Sequence, residues 1–177
     1  FEGADWSVSL VGVLVAPFIE ELMKALGPIL LLLLLRRREF FGITDGIVYC
    51  GLSAIGFAMV ENILYLGGHG YAAGREQFGT ASGLQLVFLL FLARILLGGF
   101  AHPLFTSMTG VGLGLAARSA SRRVRWLAPL AGLLLAMVLH GTWNLMSLLS
   151  VSQKQPLITL VGYVGLMMPI FLTMIGL

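Results

Sequence analysis

Between Leu84 and Ala117 the chain runs for thirty-four residues with one formally charged side chain, Arg94. A helix needs about 20 apolar residues to cross the roughly 30 Å hydrocarbon core of a bilayer. The run is therefore too long for one straight span. Four further apolar runs cover about residues 6–35, 44–66, 126–149 and 157–177. Soluble domains carry about 25% charged residues; this chain carries 11%, against 58% hydrophobic, so it is built for lipid. The expectation is an all-α polytopic membrane helical bundle of about five spans, one transmembrane domain over residues 1–177. Gly98, Gly99 and Pro103 should break the long run, leaving the region 82–118 broken or partly interfacial. Pro17 and Pro28 interrupt the first span, and Thr44 or Asp45 can cap the second. "GGHGYAAGREQFGTASG" reads as a polar loop, with His69 exposed on it. The first residue is Phe rather than Met, which leaves room for natural residues ahead of it.

Orientation follows from the arginines. Arg36, Arg37 and Arg38 close the first span, and "RSASRRVR" at 118–125 closes the third. The positive-inside rule places both clusters in the cytoplasm. Residue 1 and the loop "VSQKQP" then face outward, and Arg94 snorkels near the outer surface. These clusters account for most of the positive charge, so it reports topology rather than a nucleic-acid surface, which needs basic and stacking residues along one face. The lone Cys50 rules out an internal disulfide framework and reads as a small packed residue. Gly110, Gly112, Gly114 and Ala116 have the spacing that lets helices approach closely.

Depth is the more informative measure. At 1.5 Å per residue, Glu20 and Glu21 lie about 22–24 Å from Arg36, and Glu61 about 24 Å from Asp45. His102 and His140 lie about 22–24 Å from Arg118 and Arg125. Four segments, each measured from its own cytoplasmic end, bring ionisable groups to one plane beneath the outer surface. Lys24 lies close to that plane, as do Asn62 and Asn144. Left unpaired in lipid, such a set costs more than about 10 kcal/mol. The groups must converge on one another, around water or a metal. An ion-pair cluster that merely fixes register is the alternative, with Glu20 and Lys24 a ready i,i+4 pair.

Histidines and a glutamate from separate helices are the preferred donors of a zinc-type site with one open position. A further glutamate suits a general base, and an asparagine amide suits a developing oxyanion. Those are the parts that amide hydrolysis needs. HExxH is absent, as is Gly-x-Ser-x-Gly. Asp5 and Asp45 sit near span ends, where capping or solvation explains them. Carboxylate–histidine chains also mark proton and ion pathways, so an ion transporter is the rival class, although no inverted repeat is visible. A catalytically inactive membrane scaffold is the second rival.

Four ordered motifs carry a resemblance. They are Glu-Glu-x-x-Lys at 20–24, Phe-x-x-x-Glu-Asn at 57–62, His-x7-Gly at 102–110 and His-x-x-x-Asn at 140–144. Together, over about residues 16–145, they resemble the PrsW intramembrane proteases, relatives of the CAAX and bacteriocin-processing enzymes. In the CAAX relatives the first motif usually ends in Arg one residue later, and the second carries His where this chain has Glu61, so the departures favour PrsW. The resemblance implies cleavage of a single-span membrane protein near the outer face of a bacterial cytoplasmic membrane. The substrate it implies is an anti-sigma-factor-like regulator, cut at site 1. It also implies catalytic roles for Glu20, Glu21, Lys24, Glu61, His102, His140 and Asn144. In a metal mechanism Glu61, His102 and His140 hold zinc and Glu20 or Glu21 activates water; in a glutamate mechanism Glu20 and a histidine do so without metal. Asn144 lines the oxyanion in either.

Overall fold

A computed structural model describes residues 9–34 and 42–176. Expectations resting on Asp5, Trp6 and the arginines at 36–38 lie outside the described residues. The described residues form no strand. Helix α1 is Ala16–Leu34, entered through a wide turn at Val11–Val15. Helix α2 is Ile43–Phe78. After Gly79, α3 (Thr80–Phe91) opens into a wide turn at Leu92–Leu97, and α4 is Ala101–Arg118. Helices α5 (Arg122–Ser152) and α6 (Leu157–Ile175) complete the chain. Among the described residues, four helical stretches are long and apolar enough to cross a membrane; α1 has the length of the shortest of them but carries Glu20, Glu21 and Lys24. The protein is an all-α polytopic membrane bundle.

Its packing is inverted relative to a soluble domain. Lys24, His140, Glu21, Thr106 and Thr109 are among the largest fully buried side chains. Leu33, Leu34, Ile63, Phe100 and Val138 are all more than 60% exposed. Lipid solvates such a surface, and the polar groups must find partners inside. The apolar core is correspondingly small: Ala101, Leu104, Phe105 and Met167 under Trp143 and Tyr163, and Cys50 with Leu113 under Ile29 and Tyr49.

The frame of the bundle is one long antiparallel hairpin. A Cβ on Gly46 would strike the carbonyl of Gly110, and one on Gly114 would strike Gly42 and Ile43. Farther along, Gly70 faces Val87 and Gly74 faces Gly83. Every one of these pairs has the same summed register to within a residue, so α2 and the return arm keep one antiparallel register at both ends of the hairpin. Gly79 turns the hairpin at φ +90°, a conformation that favours glycine.

This pairing explains where the structure departs from expectation. The expected loop after residue 66 is helix as far as Phe78, including a wide stretch at Tyr65–Ala72. Glycine disfavours an isolated helix, but here Gly70 and Gly74 are what let the second arm close against the first. Helix α2 starts at Ile43 after an extended Gly42, so Thr44 and Asp45 lie in its first turn rather than capping it. The break in the long run falls at Gly98–Phe100, and Pro103 is accommodated in the first turn of α4, where its missing N–H has no intrahelical partner to lose.

Pro28 does cost α1 a hydrogen bond, because the Lys24 carbonyl loses its N–H donor four residues on. Ser53 of α2 supplies the replacement: its hydroxyl donates to Lys24 O at 2.7 Å. The carbonyl that Pro28 leaves without its N–H donor is therefore an α1–α2 contact, at the level of the buried charges.

Candidate active site

Pro17, Glu21, Lys24, Ala25 and Pro28 are the buried residues of α1. Their spacing of three and four marks one helix face, which turns inward while Phe18, Ile19, Leu22 and Met23 face lipid. The charged residues of this apolar helix thus point at the interior. Glu20 sits at the edge of that face, with 17% of its side chain exposed against none for Glu21.

The Lys24 ammonium ties the site together. Its three protons match three acceptors: Glu21 Oε1 at 2.9 Å, Glu20 Oε2 at 3.2 Å and His102 Nδ1 at 3.0 Å. It also lies 4.6 Å from the centre of the Phe57 ring, a cation–π contact. Glu21 is held from two further helices: Thr106 of α4 donates to Oε2 at 2.7 Å, and His140 Nδ1 of α5 lies 2.9 Å from Oε1. The His102 and His140 rings meet edge to face, 5.0 Å between centres.

These partners assign the tautomers. An ammonium only donates, so His102 Nδ1 accepts and its proton sits on Nε2, which faces Glu61 Oε2 at 3.1 Å. A carboxylate only accepts, so His140 carries its proton on Nδ1, leaving Nε2 bare and 3.8 Å from Glu20. Each imidazole has a carboxylate behind one nitrogen, the arrangement that orients histidine ligands at metal centres; the other nitrogen is bare in His140 and held by Lys24 in His102. Among the described residues, Glu20, His102 and His140 offer ligand atoms all within 4.8 Å of one another.

The structure therefore brings Glu20, Glu21, Lys24, His102 and His140 into one hydrogen-bonded cluster. Glu61 stands at its margin, touching His102 on one side and Arg94 on the other, 2.9 Å from Nη2. Asn144 is placed differently: its amide donates to the Gly12 carbonyl at 2.9 Å, at the wide turn ahead of α1. Asn62 accepts from Arg94 Nε at 3.2 Å. Trp143 packs on Phe105 and Tyr163, and His69 stacks on Tyr65. Sequence reasoning missed Thr106 and the inward aim of Arg94. The only signal for Thr106 was its place four residues after His102, on the same face of α4.

Paired acids, one bare imidazole nitrogen and a buried counter-cation inside a lipid-facing bundle suit hydrolysis at membrane depth. Comparison with known proteins narrows this class. The profile of the PrsW family intramembrane metalloproteases matches residues 1–174. The chain is 34% identical over 135 residues to "Protease PrsW" of Bacillus subtilis (strain 168), which is 76% of this chain and 52% of that protein. It is likewise 34% identical over 106 residues to "Protease PrsW" of Geobacillus kaustophilus (strain HTA426), covering 60% of this chain and 39% of that one. The chain belongs to the PrsW family. It spans about half the length of the first of these relatives and less of the second. No solved structure matches it at a significant level.

Proposed function

We propose that this chain carries the catalytic core of an intramembrane endopeptidase that cuts a single-span membrane protein just beneath the outer face. The observation that carries the reading is the convergence of Glu20, Glu21 and Lys24 with His102 and His140 from two other helices. Glu20 is the acid that water and a peptide can reach, so it takes the proton of the attacking water. His140 Nε2, 3.8 Å away, relays that proton to the departing amine nitrogen. Glu21 and Thr106 hold His140 and Lys24 in place, and Lys24 balances the charge of both acids. Asn144 would serve an oxyanion only after its amide released Gly12.

A metal fits the donor set. Glu20, His102 and His140 would hold it, each imidazole already braced by Glu61 or Glu21, and a zinc-type ion there would supply an activated water at neutral pH. This ligand set replaces Glu61 of the sequence reading with Glu20. Lys24 competes for His102 Nδ1, so metal loading and the Lys24 contact exclude each other at that nitrogen. An anti-sigma-factor-like substrate is the one the family resemblance implies, and the two bacterial relatives support a bacterial cytoplasmic membrane as the setting.

The test is cleavage of a single-span reporter by the full chain in nanodiscs. Glu20→Gln, His102→Ala and His140→Ala should each lower kcat by at least about 100-fold. Normal cleavage by all three variants would overturn the assignment. About one metal per chain by elemental analysis, lost in Glu20→Gln, supports the metal ligand set; cleavage undiminished in metal-free protein supports the glutamate mechanism.

A further inference from the structure

Arg94 plays no part in the mechanism above, and its sequence context suggests only a side chain reaching for the outer surface. The structure turns it inward instead. Its guanidinium makes three contacts within one stretch of α2: Glu61 Oε2 at 2.9 Å, Asn62 Oδ1 at 3.2 Å, and the face of Tyr65 at 3.7 Å. It does so from the wide turn Leu92–Leu97, opposite the point where α2 itself widens at Tyr65. Wide turns of this kind recur at functional sites.

Glu61 Oε2 is sealed from solvent and takes no aligned hydrogen bond, although Arg94 Nη2 and His102 Nε2 both approach it. Charge and the fixed position of the Arg94 fork are what keep this carboxylate beside the imidazole. We propose that Arg94 is a positioning residue for His102, acting through Glu61 and anchored by Asn62 and Tyr65. Lys24 fixes one nitrogen of the His102 ring, and the Arg94–Glu61 pair fixes the other. The hairpin is thereby tied to the His102 ring. Lysine cannot replace it, because a point charge neither spans Glu61 and Asn62 nor stacks on Tyr65. The catalytic consequence rests on the proposed protease function; the geometric one does not.

The experiment is imidazole nitrogen NMR on full-length, histidine-labelled protein in nanodiscs, paired with reporter kinetics. The chain has 3 histidines, assigned with His69→Gln and His102→Gln. In Arg94→Gln the His102 resonances should shift or broaden into two ring states while His140 stays unchanged, and kcat should fall about tenfold at constant KM. Glu61→Gln should reproduce the His102 change, and combining the two should add nothing further. Arg94→Lys, which keeps the charge, should give a smaller displacement of the same signals and covers the case in which Arg94→Gln does not fold. Unchanged His102 resonances in Arg94→Lys, or in a folded Arg94→Gln, overturn the proposal whatever the activity. An Arg94-sensitive His102 in a wild-type protein that never cleaves upholds the positioning and overturns the protease reading instead.

The opposite end of the bundle supports a second, independent inference. Leu32 and Leu33 of α1, Ala116 of α4, and Arg122, Arg125 and Trp126 of α5 line a cavity of about 470 Å³. Arg122 and Arg125 are three apart on one helix face, and neither is paired with a carboxylate among the described residues. The walls are apolar, Ala116 leaves the room, and Trp126 is 72% exposed, as an interfacial anchor is. We infer that this cavity holds an anionic phospholipid, its phosphate between the two guanidiniums and its first acyl carbons along the leucines. Native mass spectrometry of the full chain should show phosphatidylglycerol retained over phosphatidylcholine. The double variant Arg122→Gln/Arg125→Gln should lose that preference by about tenfold, and Arg123→Gln should keep it. Equal loss in Arg123→Gln marks a diffuse field rather than a site and overturns the inference. Inorganic phosphate displacing the lipid at equal concentration overturns the lipid assignment.

Discussion

Glu20 and Glu21 are neighbours in the chain, yet they face different demands. Glu21 has no exposed surface and is held by Lys24, His140 and Thr106; Glu20 keeps a wet edge. Removing one member of a buried charge cluster leaves the rest uncompensated and costs about 3–5 kcal/mol. Glu21→Ala should therefore lower the unfolding temperature sharply in detergent. Thr106→Val should cost about 1–3 kcal/mol, the penalty of a buried acceptor that loses its donor. Glu20→Gln should leave the melting curve nearly unchanged while abolishing cleavage, so that thermal scans and the reporter assay separate the two acids. The cluster's charged members and imidazoles were legible because ionisable groups are rare and costly in apolar spans. Thr106 was not, since a hydroxyl in a membrane helix can satisfy its own backbone and gives no hint of a distant carboxylate.

At the level of elements, α1 and the hairpin depend on close backbone contact. Gly46 and Gly110 allow α2 and α4 to touch main chain to main chain, and even a methyl group has no space there. Gly46→Ala should destabilise the protein by about 1–3 kcal/mol or more, the range for overpacking. Gly67, by contrast, has open space around it, so Gly67→Ala should be neutral or slightly stabilising. Chemical denaturation of the two variants in one micelle checks the contrast. The small-residue spacing at 110–116 was readable as packing, but which helix it packed against was not, because Gly46 carries no mark of its partner. Ser53 is a similar case. Its hydroxyl serves the carbonyl that Pro28 leaves bare, and Ser53→Ala should cost about 1 kcal/mol, with the loss disappearing when Pro28 is also replaced by Ala.

For the molecule as a whole, length against bilayer thickness decides the arrangement. Helix α2 has 36 residues, about 54 Å at 1.5 Å each, against about 30 Å of hydrocarbon. The hairpin therefore reaches well past the plane of the site on the side away from Arg118 and Arg122. Cysteines placed at Ser121 and at Gln77, both exposed, should label from opposite sides of sealed vesicles, with Cys50 silent because it is fully buried. Labelling from one side would break the depth argument that puts the acids beneath the outer face.

The sequence by itself determined that the protein lives in lipid, that it is helical, and that its acids and histidines share one depth, because desolvation penalties are large enough to write themselves into composition and spacing. The tertiary structure alone decided which partner each imidazole nitrogen meets, that Glu20 lies within reach of both His102 and His140, and that the glycine-rich stretch after residue 66 is a helix arm. Those outcomes depend on which faces meet, and contact between faces is a property of packed helices that no single run of residues contains.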